Sequence, residues 1–75
     1  MRVVDVTRVP LELFKILKFE GLVASGGEAK FAVAQGQVFV NGEVETRKRR
    51  KIVSGDVIRF ASEEFQIQLK AVPTA

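Results

Sequence analysis

Arg47-Lys48-Arg49-Arg50-Lys51 is the stretch of this sequence with the most pointed chemistry, five cations in succession. Like charges in a row repel one another, and a small domain gains no stability from placing them together. A polyanion is the natural counterpart. Residues 41–60 hold six basic and three acidic side chains, against five and four in residues 1–40 and one and two in residues 61–75. The net charge of +3 is therefore concentrated around this run. Its arginines add forked donors that match phosphate oxygens, which lysines alone would not supply. The bland alternative is a solvated loop. On either reading the side chains are exposed, so replacing Arg47, Arg49 and Arg50 by Gln is expected to cost little stability.

Ser25-Gly26-Gly27-Glu28 is the second pointed stretch. Ser-x-x-Glu is a capping box, in which Ser25 caps a helix and Glu28 reaches back to the Ser25 amide. Two glycines at a helix N-terminus leave backbone N–H groups unobstructed, where the helix dipole favours an anion such as a phosphate. They also suit a tight start to the helix, and both readings stay open. The pattern lacks Gly-x-x-x-x-Gly-Lys-Ser/Thr, so it is no nucleotide-binding P-loop.

Other chemistries find few residues. The chain has no Cys and no His, which removes disulfides, thiolate and imidazole metal ligands, and Ser–His–Asp or Cys–His nucleophiles. The nine acids form no metal-like cluster. Glu43 and Glu45 alternate on one face of a strand and read as solvated surface, and Glu28 reads as a cap rather than an acid catalyst. Of the phenylalanines at 14, 19, 31, 39, 60 and 65, most belong to a core; Phe39 or Phe19 is the candidate to stand exposed and stack on a base. With no Tyr or Trp, a broad stacking platform is not expected.

These groups must be positioned by short elements. Val3, Val4 and Val6 suggest a strand. Pro10 suits the first turn of a helix over Leu11–Glu20, with Leu13, Phe14 and Leu17 on one face and Glu12, Lys15 and Lys18 turned away. Gly21 ends it. A second helix runs from about Gly26 to Gln35, packed through Ala29, Phe31, Ala32, Val33 and Ala34, and Gly36 stops it. Gln37–Val40, Asn41-Gly42 and Glu43–Thr46 read as a hairpin with a type I′ turn. Ile52-Val53, Val57–Phe60 and Phe65–Leu69 read as further strands. Val38, Val40, Val57, Ile58 and Ile67 are expected to line the inner face of the sheet against Leu17 and Ala32. The fold class is α+β, two short helices on a small, mostly antiparallel sheet.

Seventy-five residues make one domain, residues 1–75, which buries only roughly 60% of its unfolded surface and holds a single small core. Residues 71–75 read as a flexible tail. No apolar run approaches the roughly 20 residues needed to span a bilayer, and Asp5 interrupts any signal-peptide core, so no membrane role and a cytoplasmic location are expected.

Together, Leu11–Leu22, Ser25-Gly26-Gly27-Glu28-Ala29-Lys30, Gly36–Arg47 and Gly55-Asp56-Val57-Ile58 resemble the alpha-L RNA-binding motif, the family named after ribosomal small-subunit protein four. The resemblance covers about residues 11–60. In length, and in the run from Glu45 to Val53, the chain is most similar to the short stand-alone bacterial YbcJ-like members. The resemblance implies an RNA-binding protein without catalysis, taking structured RNA (ribosomal RNA or tRNA), with the ribosome or its assembly particles as partners; a monomer without a cofactor is expected. Carried over, the RNA face would use Lys15 or Lys18 on the first helix, Ser25, Gly26, Gly27 and Lys30 at the second, then Gln35, Asn41 and Arg47, Lys48, Arg49, Arg50 and Lys51. The family often has Arg where Gly26 stands, and the extended basic loop would compensate for its loss. The competing reading is a protein-interaction adaptor whose basic loop meets an acidic partner.

Overall fold

The computed structural model describes residues 2–70, so the expected tail at 71–75 lies outside the described residues. The elements run β1 (Arg2–Val6), β2 (Leu11–Glu12), α1 (Leu13–Phe19), α2 (Gly26–Ala34), β3 (Val38–Val40), β4 (Glu43–Val44), β5 (Lys51–Ile52), β6 (Val57–Phe60) and β7 (Glu63–Leu69). Five strands form one sheet in the order β1-β7-β6-β3-β4, antiparallel except for β1 beside β7, while β2 and β5 pair as a separate two-stranded ribbon.

The local signals act as the residue types require. Ser25 is the N-cap of α2, and its Oγ accepts from the Glu28 amide at 3.1 Å. The Glu28 carboxylate accepts from the Ala24 amide at 3.3 Å, one residue before the Ser25 amide it was expected to reach. Asn41 and Gly42 have φ of 54° and 84°, the left-handed pair that a type I′ turn demands and that Asn and Gly tolerate best.

Period-2 alternation places Val40, Ile58 and Phe65 side by side across three strands. With Val38 and Ile67 they form the sheet's side of the core, and Leu13, Ile16, Leu17, Ala29, Ala32 and Val33 cover it from the helices. Val57 is only half-buried, since a neighbour of Ile58 on one strand must face the other way.

Three expectations on the helices and hairpin are corrected. Leu11 and Glu12 are not the first turn of α1 but a strand paired with Ile52 and Lys51. Burial of Leu11 beside the fully buried Ile52 outweighs continuation of the helical period. Phe31 and Ala34 do not pack inward: Phe31 is exposed, because Ala29, Ala32 and Val33 already fill the narrow buried stripe of α2. The return arm of the hairpin is β4 alone, which ends before Glu45 turns inward. No helix of the described residues is long and apolar enough to cross a membrane.

Candidate nucleic-acid interface

The basic run is strapped to the first helix rather than hanging as a free loop. Glu12, the N-cap residue of α1, offers no side-chain cap. The first helical amides instead find backbone carbonyls of the run: Leu13 N–H donates to Arg50 at 3.0 Å and Phe14 N–H to Lys48 at 3.1 Å. These are donors a helix always leaves orphaned. The pairing of Glu12 with Lys51 extends the same junction.

Glu45 fixes the run from within, contrary to its reading as solvated surface. It is 5% exposed, and both carboxylate oxygens are used. Oε1 accepts from the Arg47 amide at 2.9 Å and from Arg47 Nε at 3.0 Å. Oε2 accepts from Arg47 Nη2 at 3.0 Å and Arg50 Nη1 at 2.8 Å. The Arg47 fork, then Arg50, holds this carboxyl down at about 2, against the opposing effect of burial. Arg47 is raised in turn by the carboxylate. Two of the five cations thus neutralise a buried acid, which gives their replacement a reason to cost stability. A carboxylate stripped of both arginines would be left buried without counter-charge.

Lys48, Arg49 and Lys51 remain exposed. Of these, among the described residues, only Arg49 has a carboxylate within 4 Å, Glu12 at 3.8 Å. The same Glu12 takes Lys15 at 3.1 Å, and that contact, ahead of more distant cations, lowers its pKa. Lys18 projects freely from the last turn of α1. Lys30, on α2, lies 4.9 Å from the centre of the Phe14 ring, a cation–π distance that ties the two helices' charged faces together. Arg8, Lys15, Lys18 and Lys51 border one groove of about 490 Å³ with Phe14, Phe19 and Gly26. Arg47, Arg49, Arg50 and Lys51 border a second, shallower hollow.

At the start of α2, Gly26 and Gly27 have ordinary φ, and a Cβ built on Gly26 meets nothing within 4 Å, while one on Gly27 meets only Ser25 Oγ at 3.9 Å. Neither backbone conformation nor packing demands glycine at either position.

Two nominated residues stand elsewhere. Asn41, though exposed, turns its carboxamide to the fold, donating from Nδ2 to Asp56 at 3.0 Å and accepting the Val57 amide on Oδ1 at 2.9 Å. Gln35 is the exposed C-cap of α2, at the far end from Gly26. Of the two phenylalanines proposed for stacking, Phe19 is 70% exposed, while Phe39 is half-buried with Arg59 over its ring at 5.4 Å. Sequence reasoning missed Arg8 as a groove residue and Glu45 as the organiser of the run. A single acid set two and five residues before arginines was the only signal for the latter.

An S4 domain matches residues 4–68. The chain is 53% identical over 57 residues to the Escherichia coli (strain K12) protein named "Putative RNA-binding protein YbcJ", covering 76% of this chain and 81% of that one. It is 38% identical over 50 residues to the Bacillus subtilis (strain 168) protein named "Probable ribosome maturation protein RlbA", covering 67% and 70%. The solution structure of YbcJ from E. coli, described as revealing an alpha-L motif involved in RNA-binding, superposes with a TM-score of 0.68 at 46% identity, over 91% of this chain and 87% of that one. The likeness thus runs along most of both chains, and this protein belongs to the S4-domain family, with the alpha-L motif of its YbcJ-like members.

Proposed function

We propose that this protein is a non-catalytic, monomeric RNA-binding module of the cytoplasm, which needs no cofactor and docks one rigid basic face on structured RNA through phosphate contacts. The observation that carries the proposal is the strapping of the basic run to α1. It sets Lys48, Arg49 and Lys51 beside Lys15 and Lys18 and the open glycine start of α2. Fixed cations on a fixed backbone suit phosphates at the regular spacing of a folded RNA better than a flexible strand. Glycines that the fold does not require support close approach of a phosphate to the Gly26 and Gly27 amides. The involvement of the alpha-L motif of YbcJ in RNA-binding supports the same ligand, and the name of RlbA supports ribosomal RNA, and ribosome-assembly particles, as its setting ahead of tRNA.

Titrating binding of a folded ribosomal or transfer RNA against salt tests this. About four or five neutralised phosphates give a slope of log affinity on log salt of roughly −3 to −4. Lys48→Gln with Arg49→Gln and Lys51→Gln should remove about two units of that slope while leaving the melting temperature in place. An unchanged slope in this variant, or equal affinity for an acidic polypeptide of matched charge, would defeat the reading.

A further inference from the structure

Phe19 and Phe31 are both exposed, at 70% and 55%, and Phe19 borders a groove rimmed by cations. Scattered surface phenylalanines need no explanation, and Phe31 is of that kind. Phe19 opens onto the groove whose rim carries Arg8, Lys18 and Lys51. Among the described residues none of these three has a carboxylate within 4 Å. Glu12 also lines the groove but is held by Lys15 and Arg49, and a flat apolar ring bordered by cations without a direct carboxylate partner is complementary to one kind of chemical unit, a flat π system carrying an anion on a short tether. A nucleotide is that unit.

We infer that this groove takes a single unpaired nucleotide of the bound RNA, its base stacked on Phe19 and its phosphate among Arg8, Lys18 and Lys51. The inference rests on the RNA-binding reading and narrows it. In a continuous duplex both faces of every internal base are covered by neighbours, so none could reach Phe19. The preferred RNA is therefore a helix interrupted by a bulged or looped-out residue, with the basic run on the helical phosphates and Phe19 on the displaced base. Phe19 sets specificity here and contributes little to binding of an uninterrupted helix.

The test uses the full chain and two RNA hairpins that differ only by one bulged adenosine in the stem. The wild type should bind the bulged hairpin roughly tenfold more tightly, as expected of one stacked base. Phe19→Leu keeps apolar bulk but loses the π face. It should bring the bulged hairpin down to the affinity of the paired one and leave the latter unchanged. Because Phe19 is exposed, neither this variant nor Phe19→Trp should disturb the fold. The sequence has no Trp, so Phe19→Trp supplies a single emission signal, which the bulged hairpin should quench and the paired one should not. Equal affinity of the wild type for both hairpins, or a preference that survives Phe19→Leu, would overturn this inference while leaving the phosphate-docking face standing. Failure of the wild type to bind either hairpin at low salt would overturn the RNA reading itself.

Discussion

The two helices begin in opposite ways. At α1 the first amides are consumed by carbonyls of Lys48 and Arg50, with no side-chain cap. At α2 the side chains of Ser25 and Glu28 supply the cap locally, and the first positions are bare glycine. One helix start holds a piece of the protein, and the other is left open. A chain this small divides its polar groups: those at the start of α1 hold the basic run, and those at the start of α2 are capped locally beside two bare glycines. The basic run divides in the same manner, with Arg47 and Arg50 turned to Glu45 and Lys48, Arg49 and Lys51 turned outward.

The largest effect should come from releasing what α1 holds. Arg47→Gln with Arg50→Gln leaves Glu45 buried without either partner and should clearly lower the urea-unfolding midpoint, by less than the loss of a fully buried pair because Arg47 is exposed. The triple Lys48, Arg49, Lys51 variant removes more charge and should barely move the same midpoint.

The pH dependence of the clamp is expected next. Glu45 titrates at about 2 in the folded protein, against an ordinary value of 4.5. Its contribution is fully present above pH 4.5 and is lost as the pH falls through 2, because the unfolded state takes up the proton first. Glu45→Gln should flatten this part of the stability–pH curve and lower the melting temperature at pH 7.

Asn41→Ala offers a control that touches neither helix start. It deletes two hydrogen bonds and places Ala at a φ of 54°, which should cost about 1–2 kcal/mol. The salt slope of RNA binding should stay as it is.

The smallest change in stability should accompany the sharpest separation of roles. Gly26→Ala and Gly27→Ala add a methyl group that the fold accommodates, so each should leave stability unchanged or raise it by up to about 0.5 kcal/mol. RNA affinity should fall several-fold, and a loss of stability parallel to the loss of affinity would return the glycines to a purely backbone role.

Much of the fold was legible because its signals are local. The Ser25 cap, the Asn41-Gly42 turn and the alternation through Val38, Val40, Ile58 and Ile67 each depend on residues a few positions apart. What escaped depends on distant partners. Leu11 and Glu12 carry a helical period and become a strand only because Ile52 and Lys51 are brought beside them. Glu45 shares parity with Glu43, yet the strand ends between them, so alternation no longer governs which way its side chain points. The candidate site was legible as a set of cations, whereas the division of those cations between an internal acid and the surface was not, since it is decided by the burial of one carboxylate.

The placement of β1 has a consequence for the order in which the molecule is completed. Among the described residues its sheet neighbour is β7 alone, and Arg2 through Val6 pair with Phe65 through Leu69 in parallel. β1 therefore has nowhere to dock until β7 has been made, and both helices and the basic run that follows them lie between these two strands in sequence. The contact is among the most distant in sequence that the chain makes, and such long-range closure slows folding. Removal of β7 would leave β1 without its sheet partner, so two strands of the five would be lost together.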